Sequence, residues 1–486
     1  MSDYPTTLFD AAHRAYQAGR HAGAEALLRL LLGTGWRDGY VSYFIGHLKY
    51  LQGDAAAALC YLDASVGIEP DLARAHNDRG EVLRVLGRHQ EAVACFQRAI
   101  ELEPTLAHPY GNLGAALHAL DRDEAALDWL HQSLRLATDR AIAHCDLGVT
   151  LAWLNRHEEA IEQFRLAQHV LPDYPRARYA ESLSLLALGD FADGWCKHEA
   201  RLRDPTNMHV RRDSPEPAWQ GEPDIAGKTI LLHAEQGHGD AIQFVRYVPY
   251  VAAKGATVLL QAPASLTAWF AGIGGVRAVF APHEALPRFD LQCSLMSLPY
   301  ALRDESDRMQ AAVPYLTVDA ARVAAWRARL GPQQRMRIGI AWSGNPRHNN
   351  DRNRSIPLAL LTRLLSHRDI DFHVLQNDVQ APDRALLAGL PQVHNHGEAL
   401  GDFAGTAALA SLMDLVLSVD TVFAHLAGAL AVPTWVMLPW AADWRWMIGR
   451  DDTPWYPTMR LFRQRRKGDW PGVLADVARA LDGRPR

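Results

Sequence analysis

Three polar segments in the second half of the chain carry residue types suited to chemistry. The first, EQGHGD at residues 235–240, follows an apolar run. Gly237 and Gly239 allow tight turns and close approach of a ligand to the backbone, and Asp240 stands where a helix should begin. A carboxylate in that place is most simply a helix cap, a common use of aspartate. The glycine spacing departs from G-x-G-x-x-G, so a nicotinamide dinucleotide is not indicated. The second segment is VDTVFAHLAGAL, residues 419–430. Asp420 should end a strand and Thr421 should open a helix over residues 421–430, which sets a hydroxyl and free N–H groups where a phosphate would bind. His425 falls four residues after Thr421 on the same helix face, where a histidine is more often structural than functional. The third is the long loop WSGNPRHNNDRNRSIPL, residues 342–358. It offers Ser343 and Asn345 for hydrogen bonding and Arg347, Arg352 and Arg354 for phosphate, with Gln376 closing the next strand into the same crevice. A solvated surface turn reads the same residues equally well. The D-x-D pairs, Asp121/Asp123 and Asp369/Asp371, fall in a repeat turn and before a strand, so no metal site is expected.

These loops need a scaffold, and the surrounding pattern supplies one. From Lys228 short apolar runs alternate with amphipathic stretches: TILLHA, ATVLLQA and RAVFA, then RIGIAW, DFHVLQ, LVLSVD and TWVML. Alternating strand and helix implies parallel sheets covered on both faces. The two sets predict two Rossmann-like lobes, residues 227–330 and 331–486, with ligands at the carboxyl ends of the strands and in a cleft between the lobes. The proline-rich tract at residues 206–226 reads as a linker or an extended segment.

The first part of the chain is different. Gly46, Gly80, Gly114 and Gly148 recur every 34 residues, with Ala58, Ala92, Ala126 and Ala160 twelve positions later and Leu62, Phe96, Leu130 and Phe164 four beyond those. That period is the tetratricopeptide one: two antiparallel helices approach where a small residue sits at their crossing and a large one fills the groove beside it. Four clear repeats cover residues 39–172, and Ala12, Ala24, Ser182 and Gly194 continue the register into degenerate end units. An all-α solenoid is expected over residues 1–205.

A formal net charge of −5 gives no footprint for nucleic acid. The five cysteines are scattered, with no C-x-x-C pair. Three of those in the repeats should fall in second helices and pack as small apolar groups. With no span of 18 apolar residues and no basic-then-apolar start, a cytoplasmic protein is expected.

The GHGD loop, the VDTVFAHLAGAL segment, the tract ADWRWMIGRDDTPWYPTMRLFRQ and the GDFADGWCKHEARL stretch together resemble a bacterial family of tetratricopeptide proteins. The C-terminal half of that family is similar to ADP-heptose:lipopolysaccharide heptosyltransferases of GT-B fold. The likeness runs over nearly the whole chain, and the tetratricopeptide-bearing O-linked N-acetylglucosamine transferases are a more distant parallel. The resemblance implies an inverting, metal-independent glycosyltransferase with a nucleotide-sugar donor, no cofactor, and a protein or glycan acceptor. It casts Asp240 as the base. Asp420, Thr421 and His425 would contact the donor, with Gly237, Gly239, Ser343, Asn345, Arg354 and Gln376 as further donor-binding candidates. Val422 stands where those enzymes have glycine, and Arg354 is the candidate for their phosphate-binding lysine. The competing reading is a transferase-like scaffold without catalysis. Tryptophans 440, 444, 446, 455 and 470, with Arg445, and the basic string at 463–467 are left open between packing and ligand contact.

Overall fold

The computed structural model describes residues 4–36, 38–204, 207, 212–222, 224–303, 312–348 and 350–483. Part of the expected linker, and Asn349 in the third polar loop, lie outside the described residues. The chain forms two compact units, Met1–Ala180 and Glu181–Arg486.

The first unit is built of antiparallel helix pairs: α1 (Tyr4–Gln17) with α2 (His21–Gly33), α3 (Gly39–Leu51) with α4 (Ala55–Ile68), α5 (Ala73–Val85) with α6 (His89–Leu102), α7 (Ala107–Ala119) with α8 (Asp123–Leu136), and α9 (Ala141–Trp153) with α10 (His157–Val170). A further first-type helix, α11 (Pro175–Leu188), begins inside it. From α3 onward each first helix starts 34 residues after the one before. The glycine register explains the pairing. A β-carbon on Gly46, Gly80, Gly114 or Gly148 would lie 2.7, 2.6, 2.5 or 2.6 Å from the side chain of Leu62, Phe96, Leu130 or Phe164 respectively, closer than any real β-carbon sits. Ala58, Ala92, Ala126 and Ala160 are fully buried at the same crossings. A second periodic signal lies in the turns. Gly19, Gly53, Gly87, Asp121, Asn155 and Gly189 all adopt positive φ, between 59° and 90°, at 34-residue intervals. That left-handed step reverses the chain between the two helices of each pair. It extends the register into both outer units.

The second unit begins within α11, before the expected boundary at residue 205. The short helix α12 (Phe191–His198) belongs to it because Trp195 is buried in the α/β core, edge-on to Trp444 at 5.2 Å and to Phe244 at 5.8 Å. The cysteine expectation needs correction. Cys95 is buried, but Cys60 and Cys196, also in second helices, are exposed, and the other buried thiols are Cys145 in a first helix and Cys293 in a strand.

All strands of this unit pair in parallel. The first sheet has the order β3 (Val276–Phe280), β2 (Thr257–Gln261), β1 (Thr229–His233), β4 (Leu291–Ser294). Part of the proline-rich tract continues this sheet. Trp219 N–H donates to the Gln292 carbonyl at 2.7 Å, and Gln292 N–H to the Pro217 carbonyl at 3.0 Å, so the segment is an edge and not a free linker. The second sheet has the order β10 (Met459–Arg463), β9 (Thr434–Leu438), β8 (Leu415–Val419), β5 (Met336–Ala341), β6 (Ile370–Val374), β7 (Val393–His394). Its side chains alternate between two cores. Ile338, Ile340, Leu417 and Met437 face one, while Val416, Val436 and Leu438 face another that is shared with the first sheet. Burial of both faces accounts for the nearly continuous apolar runs by which these strands were legible. The strands β4, β7 and β10 lack such runs.

Candidate functional site

Each lobe contributes one strand-to-helix turn to a common region. After β1 the chain turns through Gly237 into the helix His238–Phe244, and after β8 it turns through Thr421 into the helix Val422–Ala429. The two helices pack directly on each other. A β-carbon on Gly239 would stand 2.8 Å from the His425 ring, so the missing side chain is what lets the turns meet.

Asp240 does two things. Its Oδ2 accepts from Gly237 N–H at 2.8 Å, which caps its own helix, and its Oδ1 pairs with the Arg445 guanidinium. Arg445 also donates to Asp443 Oδ1 at 2.8 Å and to Gln243 Oε1 at 2.6 Å, and it lies over the Trp444 ring at 4.4 Å. Burial would lower its basicity, but Asp443 and Asp240 outweigh burial and hold it above the ordinary arginine range.

Thr421 is the N-cap residue of its helix and makes no side-chain cap; its hydroxyl lies 3.2 Å from that of Ser418. The Thr421 side chain therefore takes none of the first N–H groups of the helix. Asp420, beside it, has its carboxyl pushed up to about 6 by burial and by Asp443, against the opposing pull of Arg354, Trp446 and Arg445. His425 is buried, bonded through Nδ1 to the Tyr456 hydroxyl at 2.9 Å and stacked on Trp446 at 5.5 Å. Burial, then Arg445, Arg246 and Arg354, hold its imidazole well below the usual range, so the ring is neutral.

In the third loop Arg354 donates to the Asp420 carbonyl at 3.2 Å, which brings it to the same helix start. A β-carbon on Gly344 would stand 2.7 Å from that guanidinium; this glycine makes room for it. The loop feels both lobes, since His348 is held low by burial and by Arg354 while Asp443, Asp351 and Asp240 oppose them. Ser343 and Gln376 are engaged with each other. Gln376 Nε2 donates to the Ser343 hydroxyl at 3.0 Å and its Oε1 accepts from Trp342 N–H at 3.0 Å, tying the ends of β5 and β6 together. Asn345 is exposed and closes its own turn by accepting from Arg347 N–H at 3.0 Å. The residues brought together are therefore Gly239, Asp240, Arg354, Asp420, Thr421 and His425.

The sequence reading left Arg445 unassigned and missed Asp443, Gln243 and Tyr456. The local signal at this end was the cap: Asp443 accepts from Arg445 N–H at 3.0 Å at the start of the short turn Trp444–Trp446. It also missed Glu235, whose side chain is buried and bonded to the buried Arg201 at 2.8 Å, an ion pair that anchors the base of the EQGHGD loop. Burial raises the Glu235 carboxyl against the pull of Arg201. Packing answers the open question of the closing tract for four tryptophans and Arg463, while Trp440 is half-buried and Arg465, Arg466 and Lys467 are exposed. Trp444, Trp446, Trp455 and Trp470 are buried, and Arg463 donates to the carbonyls of Arg450 and Trp446. Among the described residues no three potential ligands gather around a metal position, and no helix is long and apolar enough to cross a membrane.

The helix pairs decide one comparison. Residues 71–139 match the tetratricopeptide-repeat family model. The first unit thus carries tetratricopeptide repeats. It is 28% identical over 340 residues to the protein FlbA of Caulobacter vibrioides, a match covering 64% of this chain and 55% of FlbA, so the chain spans about half the length of that curated relative. Among solved structures it is similar to the APC/C hetero-tetramer Cut9-Hcn1, at 23% identity and TM-score 0.36 over 38% of this chain and 36% of that one. It is also similar to Pseudomonas aeruginosa PilF, at 16% identity and TM-score 0.36 over 41% and 90%.

Proposed function

We propose that the α/β unit is a glycosyltransferase. It would move a sugar from a nucleotide-sugar donor to a hydroxyl of a protein, or another macromolecule, held by the repeats, with inversion and without a metal ion. One observation carries the reading: the glycine turn bearing Asp240 abuts the helix start bearing Asp420 and Thr421, with Arg354 at the same point. The resemblance of both turns to those of heptosyltransferases supports it. In the step envisaged, the acceptor oxygen bonds to the anomeric carbon from the face opposite the diphosphate. The carbon–oxygen bond to the diphosphate breaks, and that electron pair leaves with the nucleoside diphosphate. The acceptor proton passes to the Asp240 carboxylate. The N–H groups at Thr421 and the Arg354 guanidinium meet the charge growing on the leaving group.

A second reading, a transferase-like scaffold without turnover, is favoured by the double engagement of Asp240 and by Val422 in place of glycine. Thermal melts of the full chain with UDP-, GDP-, ADP- and dTDP-sugars separate the two. A donor at a hundred times its dissociation constant stabilises by about 2.7 kcal/mol. A raised midpoint with one of them supports the transferase; unchanged midpoints with all four support the scaffold.

A further inference from the structure

The Asp240–Arg445 pair joins two residues far apart in sequence and leaves the candidate base with no free oxygen. As found, that carboxylate is ill placed to take a proton. Arg445, however, is held independently of Asp240. Asp443 and Gln243 fix two of its three nitrogens, and Trp444 supports its plane. Only the arm toward Asp240 need let go for the guanidinium to serve another anion. The same arginine acts electrostatically on Asp420 and His425, which flank Thr421, so its charge already reaches the helix start where a diphosphate would sit. Arginine suits exchange of this kind, because its several N–H groups can keep one partner while turning to another.

We propose that Arg445 is a counter-ion shared in turn. In the unliganded protein it neutralises Asp240, and when a nucleoside diphosphate group occupies the Thr421 helix start it moves its charge to that group and frees Asp240 to accept the acceptor proton. This rests on the donor site proposed above. Donor binding and activation of the base then become one event, so the carboxylate is unmasked only when a sugar is in place to be transferred. Hydrogen bonds to Asp443 and Gln243 persist through the exchange, which keeps the guanidinium from straying into solvent.

The test is a double-mutant cycle read by calorimetric titration of the full chain with UDP, GDP, ADP and dTDP. Asp240→Asn keeps an acceptor for Gly237 N–H but gives up the competing charge, so it should bind the preferred diphosphate about tenfold tighter than the parent, within the coupling expected of contacting residues. Arg445→Met should bind it at least tenfold more weakly, Arg445→Lys should fall between, and Asp240→Asn should have no effect in the Arg445→Met background. Circular dichroism melts establish that each variant is folded; if Arg445→Met is not, Arg445→Lys takes its place in the cycle, and Asp240→Asn should then gain less in that background than in the parent. Unchanged affinity in Asp240→Asn overturns the proposal. So does an equal gain from Asp240→Asn with and without Arg445, which would mean that the aspartate merely repels phosphate. Parent and Asp240→Asn proteins that bind none of the four diphosphates overturn the donor site itself, a distinct outcome.

Discussion

Gly239 approaches His425 so closely that a β-carbon on the glycine would lie 2.8 Å from the imidazole Cδ2. His425 is pinned on its other side by Tyr456 and Trp446, so the ring has nowhere to retreat. Gly239→Ala should therefore push the two turns apart, destabilise the second unit by about 1–3 kcal/mol as overpacking does, and weaken nucleotide binding together with stability. Urea unfolding followed by tryptophan fluorescence measures the first effect and calorimetry the second.

The repeat glycines separate three physical causes. Gly114→Ala drives a carbon into Leu130 and should lose about 1–3 kcal/mol. Gly87→Ala meets nothing within 4 Å but has φ +75°, so it should lose only the left-handed penalty of about 1–2 kcal/mol. Gly23→Ala, inside α2 with open space around it, should gain up to about 1 kcal/mol in helix propensity. Thermal midpoints ordered Gly23→Ala, parent, Gly87→Ala, Gly114→Ala check this.

The solenoid was legible because its signal is local. A 34-residue register puts a glycine and its partner 16 residues apart, and both members of each crossing can be seen in the sequence. The turn at Asp121 and Asn155 was hidden because those positions hold no glycine, although aspartate and asparagine tolerate the same left-handed backbone. In the α/β unit the doubly buried strands announced themselves by composition, while β4 and β10 mix polar and apolar residues. The site was half legible. Asp240, Asp420, Thr421 and His425 sit in turns whose pattern marks them, whereas Arg445 acquires its role only from a partner about two hundred residues away. Trp195 likewise reads as one more helix residue until the fold sets it against Trp444.

Trp195 fastens α12 to the α/β core, edge-on to Phe244, Trp444 and Trp455. Trp195→Ala should destabilise the second unit by roughly 3–5 kcal/mol, and Trp195→Phe by much less. Loss of near-ultraviolet circular dichroism at a lower temperature in Trp195→Ala is the measure, and near-parental melting would show that the contact matters little.

Acid should weaken the fold, with one group running the other way. Burial holds His373 down at about 3 and His233 and His396 at about 4, below the unfolded value near 6.5. Their contribution is full above pH 6.5 and is lost as pH falls through that value. Asp420, raised to about 6, contributes fully below pH 4 and loses that contribution as pH rises through 6. Parent melting midpoints should therefore fall on acidification from pH 7 to pH 5. The difference between Asp420→Asn and parent, taken in matched buffers so that the histidines cancel, should move in favour of the variant as pH rises from 4 to 7.

The central claim is transfer chemistry at the meeting of the two turns. Its most direct test is incubation of the full chain with each nucleotide sugar and a cell extract as acceptor source, scored by release of nucleoside diphosphate and by mass spectrometry of modified proteins. The account predicts release and sugar addition with one donor, and loss of both in folded Asp240→Ala. Activity of Asp240→Ala equal to the parent would contradict it.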